Sequence, residues 1–176
     1  MTDVDVAAPR RSDAAEFVTA VQESRSLHRP WLDPPDTPAR FDAYLERDAR
    51  DDQAAYLIRH HLCGALVGYV NVNNIVRGGF QSGFLGYGAF ASHAGQGFMT
   101  RGLRAVLGIV FGDLGLHRVE ANIQPANRRS INLARRLGFE KEGFSPGYLI
   151  VDGKWRDHER WALRAENWAG RPAARG

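Results

Sequence analysis

The sequence predicts a mixed α/β (α+β) fold, a mostly antiparallel sheet with helices on its faces, on three observations. Three apolar runs, Ala54–Leu62, Ala65–Ile75 and Phe84–Phe90, follow one another with only short glycine-marked turns between them. Strands joined so closely run antiparallel. The stretch Leu85–Ile123 then reads strand, helix, strand, a unit that makes its two strands parallel through a right-handed crossover. Finally, Phe139–Leu163 reads as a hairpin with Asp152-Gly153 as its turn. The predicted order is β-α-α-β-β-β-α-β-α-β-β. At the parallel step the strands can splay, and the helix between them points its N-terminus into the gap.

The chain has 176 residues, which fits one domain, expected over 1–168 with a frayed tail at 169–176. Hydrophobic content of 44% and charged content of 24% suit a soluble globular protein. No apolar run approaches the roughly 18 residues of a membrane helix. The polar N-terminus lacks the apolar centre of a signal peptide. The single cysteine, Cys63, allows no internal disulfide and fits a reducing cytoplasm. Its apolar surroundings predict a buried structural thiol. The net charge of +3 is mild and its basic residues are spread among helices, so no clear nucleic-acid site is expected.

Val4–Val6 is a short first strand. Asp13 and Glu16 have capping-box spacing ahead of a helix that puts Phe17, Val18 and Val21 on one face. The segment SRSLHRPWLDPPDT reads as a loop that exposes His28 and Trp31. Trp31 either lines a site or anchors the loop to the core. Thr37-Pro38 starts the next helix, a capping hydroxyl followed by proline at the first helical position. Phe41, Tyr44 and Leu45 form its apolar stripe. Gly86 and Gly88 lie inside the strand Phe84–Phe90, where glycine signals a bulge or close approach by another backbone or a ligand.

The turn Ala94-Gly95-Gln96-Gly97 carries the strongest chemical signal. Two residues without Cβ let backbone approach a ligand. The helix Phe98–Phe111 then offers unpaired N–H groups and the positive end of its dipole. This is an anion site, read as a pyrophosphate site. Met99, Leu103, Val106, Leu107 and Val110 form the helix's core face. Asn127 is a capping residue for the helix NRRSINLARRLG, which Gly138 stops.

With that turn at the splay and Asn127-x-x-Ser130 opening the next helix, the chain resembles the GCN5-related N-acetyltransferases (GNAT). Within them it is similar to the RimJ/RimL group of protein N-terminal acetyltransferases, and most to the RimJ type. The resemblance spans about Glu23 to Trp168. It includes Asn74-Ile75-Val76-Arg77-Gly78, Leu85-Gly86-Tyr87, His117-Arg118, Ala121-Asn122, Pro125, Leu137-Gly138-Phe139-Glu140-Lys141-Glu142-Gly143, Tyr148-Leu149 and Trp155-Arg156-Asp157-His158.

The resemblance implies a GNAT fold, acetyl-CoA as co-substrate, and direct acetyl transfer to a primary amine without a metal. It puts pantetheine along Ala89, Phe90 and Ala91. Pyrophosphate falls on the N–H groups of Gly95, Gln96, Gly97, Phe98, Met99 and Thr100, and Asn127 holds the arm from the far wall. Ser130 matches the position that hydrogen-bonds the leaving sulfur; as the third residue of its helix it also fits a simple cap. A backbone N–H near Phe90 is expected to hold the oxyanion. Glu120, a carboxylate in an apolar strand, is a candidate general base, although the RimJ type carries methionine there. Trp31, Arg77, Tyr148 and Asp157 are candidate acceptor contacts. The expected acceptor is a protein N-terminal α-amino group, for instance of a ribosomal protein. The alternatives are a small amine acceptor or a non-catalytic acyl-CoA or ribosome-binding module. Either a monomer or a homodimer fits.

The sequence departs from the pattern at Ser92, which opens the glycine motif where a polar or basic residue is usual. It also departs at Arg101, where the group carries an acid. Ala134 stands where many acetyltransferases place a tyrosine general acid, as is general in the RimJ/RimL group.

Overall fold

The computed structural model describes residues 3–168, so the expected frayed tail lies outside the described residues. Among the described residues, seven strands form one sheet: β1 (Val4–Ala7), β2 (Ala54–His60), β3 (Leu66–Val76), β4 (Ser82–Ala89), β5 (Arg118–Ile123), β6 (Glu140–Val151) and β7 (Lys154–Arg164). Their order across the sheet is β1-β2-β3-β4-β5-β7-β6. Every neighbouring pair is antiparallel except β4 and β5, which are parallel, as the connection through a helix requires.

The helices are α1 (Ala14–Glu23), α2 (Arg25–His28), α3 (Pro38–Asp48), α4 (Phe98–Phe111) and α5 (Arg128–Arg136). The expected bounds of α4 match those observed. Thr37 Oγ1 accepts from Arg40 N–H at 3.3 Å, so the predicted cap of α3 forms. A cap of this kind stabilises by about 1 kcal/mol. The hairpin β6–β7 turns at Asp152 and Gly153, both at positive φ, as a tight hairpin turn requires.

Two cores lie on opposite faces of the sheet. One packs α4 and α5 residues such as Leu103, Leu107 and Ile131 against Val70, Val72, Val119 and Ala121. The other packs Phe17 of α1 and Phe41 and Tyr44 of α3 against Leu57, Tyr69 and Phe90. Phe17 sits at its centre, with ring centroids 4.9 Å from Phe41 and 5.5 Å from Phe90.

Four local expectations change. Asp13 and Glu16 do not form a capping box; Asp13 Oδ1 and Glu16 Oε2 each accept from Arg59 at 2.8 Å, fastening α1 to β2. The loop after α1 contains the short helix α2, and it buries His28 instead of exposing it. Cys63 is exposed, because the β2–β3 turn carries it away from the sheet. Gly88 makes room for a neighbour in the protein itself: a Cβ there would come within 2.6 Å of the Tyr69 ring.

Candidate active site

The pairing of β4 with β5 ends at Phe84 opposite Glu120. Beyond it the two strands part, and the gap opens into a cleft of about 1260 Å³. The phase of β4 decides which backbone groups face that gap. Phe90 N–H donates to Val67 C=O at 2.8 Å, so Phe90, and with it Gly88, Gly86 and Phe84, turn toward β3. Gly83, Leu85, Tyr87 and Ala89 therefore face β5; the ladder with β5 takes up Leu85, and only Tyr87 and Ala89 turn their N–H groups toward the open gap. This corrects the expected oxyanion contact: the Phe90 N–H is already used. Ala91 N–H is used too, by Ser24 Oγ at 2.8 Å. Of the three residues expected beside pantetheine, only Ala89 lines the cleft.

The glycine turn behaves as its sequence demands. Gly95 and Gly97 have φ of 80° and 81°, a region that disfavours a side chain. Gly97 caps α4 without any side-chain bond. Among the described residues, no acceptor is bonded by the N–H groups of Gly95, Gln96, Gly97, Phe98 or Met99. Those five donors and the dipole of a 14-residue helix form an anion site. Gly95, Gly97, Met99 and Thr100 line the cleft. The side chains of Gln96 and Phe98 do not; Phe98 is buried against His60 and His93, and only its backbone serves the turn. The Arg101 guanidinium lies over the Phe98 ring at 4.6 Å and lines the cleft at this end.

Asn127 and Ser130 face the gap from α5. Asn127 Oδ1 accepts from Ser130 N–H at 3.2 Å, the expected cap, which leaves the Asn127 amide nitrogen for a ligand. Ser130 Oγ is 2.8 Å from the Tyr87 hydroxyl. Burial pushes the Tyr87 pKa up to about 12, the Ser130 bond opposing it, so Tyr87 stays protonated at neutral pH. Its phenol can then donate to Ser130. Sequence reasoning did not single out Tyr87; the strand's period of two, phased on buried Leu85, assigns it to the same face.

The opposite side of the gap holds His28, Trp31, Asn122 and His158. His28 Nε2 lies 2.8 Å from the Ala89 carbonyl, which can only accept, so Nε2 carries the proton. Burial, opposed by that bond, lowers the His28 pKa and keeps it neutral. Trp31 N–H donates to His28 C=O at 2.7 Å, tying the loop to the same corner.

Three expected contacts and the expected base lie elsewhere. Glu120 Oε1 accepts from Arg118 Nε at 3.0 Å; Arg118 also pairs with Glu142 across the sheet. A carboxylate so held is committed to an ion pair and is absent from the cleft lining. Arg77 sits in the turn between β3 and β4, at the end away from the gap, and donates to Leu114 C=O at 2.5 Å. Asp157 Oδ1 accepts from Gly147 N–H at 2.8 Å and holds the irregular part of β6. Tyr148 packs near His158, ring centroids 6.1 Å apart, and does not line the cleft. Among the described residues, no group of three or more His, Cys, Asp or Glu is placed to hold a metal ion. None of the described helices is long and apolar enough to cross a membrane.

A family model described as "Acetyltransferase (GNAT) domain" matches residues 5–140. The chain belongs to the GNAT acetyltransferase family. It is an N-acetyltransferase that uses acetyl-CoA, and the open donors of the turn fit that co-substrate's phosphates. It is 42% identical over 169 residues to the [ribosomal protein uS5]-alanine N-acetyltransferase of Escherichia coli K12, covering 89% of this chain and 84% of that one. Among solved structures it is similar to RimJ of Mycobacterium smegmatis in complex with CoA-disulfide. There the TM-score is 0.84 at 29% identity, over 93% of this chain and 82% of that one. The ribosomal-protein-S5-alanine acetyltransferase of Vibrio fischeri aligns with a TM-score of 0.83 at 25% identity, over 98% and 97%. The GNAT fold and the RimJ/RimL resemblance expected from the sequence are borne out.

Proposed function

We propose that this GNAT enzyme acetylates the N-terminal α-amino group of a protein that begins with alanine, and that its acceptor is a ribosomal protein. The observation that carries this reading is the 42% identity to the uS5-alanine enzyme across most of both chains. The geometry supports it: the gap between β4 and β5 has one wall on the α4–α5 face and the other on the α2 face. A donor and an acceptor can therefore meet in it from opposite sides.

Acetyl-CoA supplies the activated acyl group, as a thioester. The turn from Gly95 to Met99 would bind its phosphates, and Thr100 and Asn127 would hold the pantetheine arm. The N–H groups of Tyr87 and Ala89, which face the gap beyond the end of the β4–β5 ladder, would pair with that arm. The donor nearest the thioester oxygen would stabilise the oxyanion in place of Phe90. Ser130 would donate to the departing sulfur, with its hydroxyl oriented by Tyr87. An α-amino group, with a pKa near 8, is partly neutral at pH 7 and needs less help than a lysine side chain. Trp31 sits where it can bound the pocket for the acceptor's first residue. This acceptor places the enzyme in the cytoplasm, and catalysis from one chain's cleft is compatible with a monomer or a homodimer.

The test is release of free thiol from acetyl-CoA with a panel of acceptors. An alanine-initiated peptide should exceed a blocked peptide bearing lysine, and small amines, by at least tenfold in kcat/KM. A small amine as the best acceptor would overturn the reading.

A further inference from the structure

The loss of Glu120 as a base leaves the amine's proton without a destination, and the acceptor side of the cleft offers one. His158 is only 3% exposed and lines the cleft from β7. Its Nδ1 lies 2.9 Å from the Arg156 carbonyl, which can only accept, so Nδ1 carries the proton and Nε2 keeps its lone pair. No described group bonds Nε2. Nε2 is not fully covered, and His158 lines the cleft.

The sheet fixes which side that space is on. Asn122 pairs with Arg160 and Ile123 with Glu159. Alternation then puts His158, Arg160 and Asn122 on one face, and Glu159, Trp161 and Ile123 on the other. Trp161 and Ile123 belong to the core under α4 and α5. His158 thus stands on the opposite face, the same as His28. Gln124, two residues beyond Asn122, donates to Pro30 C=O at 3.4 Å, so the loop after α2 closes over this end of β5. Ser130 and Tyr87 approach the gap from the other face.

We propose that His158 is the general base, taking the amine proton at Nε2 while Ser130 serves the sulfur from the far side. The inference rests on the acetyl-transfer reading above and names a residue for it. As the amine nitrogen bonds to the thioester carbonyl carbon, the N–H proton passes to Nε2. The C–N bond forms, the C–S bond breaks, and the electron pair leaves on sulfur, which takes a proton from solvent by way of the Ser130 hydroxyl. The imidazolium returns its proton to solvent. The Nδ1–H bond to Arg156 holds the ring in the tautomer that makes this possible. A neutral imidazole suits the task, because the nitrogen becomes far more acidic once it attacks.

His158→Gln removes the base and keeps a polar side chain. The probes are an alanine-initiated peptide and its aminooxyacetyl counterpart, whose terminal nitrogen is neutral and weakly basic. With the alanine peptide, kcat should fall about 10²-fold. With the aminooxyacetyl peptide it should fall less than about threefold, and CoA affinity by calorimetry should stay within about twofold. Added imidazole should restore turnover to His158→Ala. Equal losses on both peptides, or no imidazole rescue in a variant that still binds CoA, would overturn the assignment while leaving the acetyl-transfer reading intact. Wild-type enzyme that releases thiol with neither peptide would overturn both.

Discussion

The Tyr87 hydroxyl lies 2.8 Å from Ser130 Oγ, so one hydrogen bond joins strand β4 to helix α5 across the parted strands. Tyr87 keeps its proton, its pKa raised by burial, and can donate in this bond. When Tyr87 is the donor, Ser130 is free to aim its own hydrogen at the cleft. Tyr87→Phe should lower kcat about tenfold, the equivalent of one hydrogen bond of ~1.4 kcal/mol made in the transition state. Ser130→Ala should lower it further with little change in CoA affinity. The double variant should match Ser130→Ala alone, because both remove the same donor path. Steady-state kinetics on the three variants checks this; additive losses would show that the two side chains act separately.

Gly97 carries the bend into α4 at φ 81°, and a Cβ there would sit 3.2 Å from Arg101 Nη1. Gly97→Val meets the left-handed penalty, about 1–2 kcal/mol, and pushes Arg101 aside. It also tilts the unpaired N–H groups of the turn away from the anion. Acetyl-CoA affinity should fall at least tenfold while the melting temperature drops only modestly. Calorimetry showing unchanged binding would remove the turn from the phosphate site.

What was legible in the sequence follows from what local chemistry controls. The helix α4, the αL glycines, the Asn127 cap and the Asp152-Gly153 turn are set within a few residues, and all were readable. The role of Phe90 was not, because it depends on strand phase. A shift of one residue exchanges the N–H that faces β3 for the one that faces the gap, and apolar runs on both faces hide the phase. Glu120 looked free because its partner Arg118 is two residues away, on the same face of the strand, and its fellow acid Glu142 comes from a distant strand. His28 looked exposed because its burial is tertiary: Tyr69 and Phe90 enclose it.

His28 and His158 both have pKa values lowered from 6.5, chiefly by burial. Below that pH the unfolded chain binds more protons at these sites than the folded one. Their contribution to stability is therefore complete above about pH 6.5 and is lost as pH falls through the lower folded values. Thermal melting should show a falling melting temperature as pH drops from 6.5 to 5. His28→Gln keeps an N–H donor for the Ala89 carbonyl and removes one titration, so its melting temperature should fall less steeply over that interval. Parallel slopes for wild type and variant would mean that His28 stays uncharged or equally accessible in both states.

Glu120→Gln separates structure from catalysis most directly. Glu120 Oε1 lies 2.9 Å from Arg118 Nη2 and 3.0 Å from its Nε, and both side chains are largely covered. The amide keeps one oxygen for Arg118 but loses the charge. Arg118 retains Glu142, so no buried cation is stranded. The loss of stability should be small, about 0.5–1 kcal/mol, as for partly screened ion pairs. If Glu120 were the base, the same change would cut kcat by about 10²-fold or more and remove its limb from the pH–rate profile. With the carboxylate held on Arg118, kcat with an alanine-initiated peptide should stay within about twofold of wild type at every pH. A large loss of kcat without a loss of stability would return Glu120 to the catalytic site and displace His158 from it.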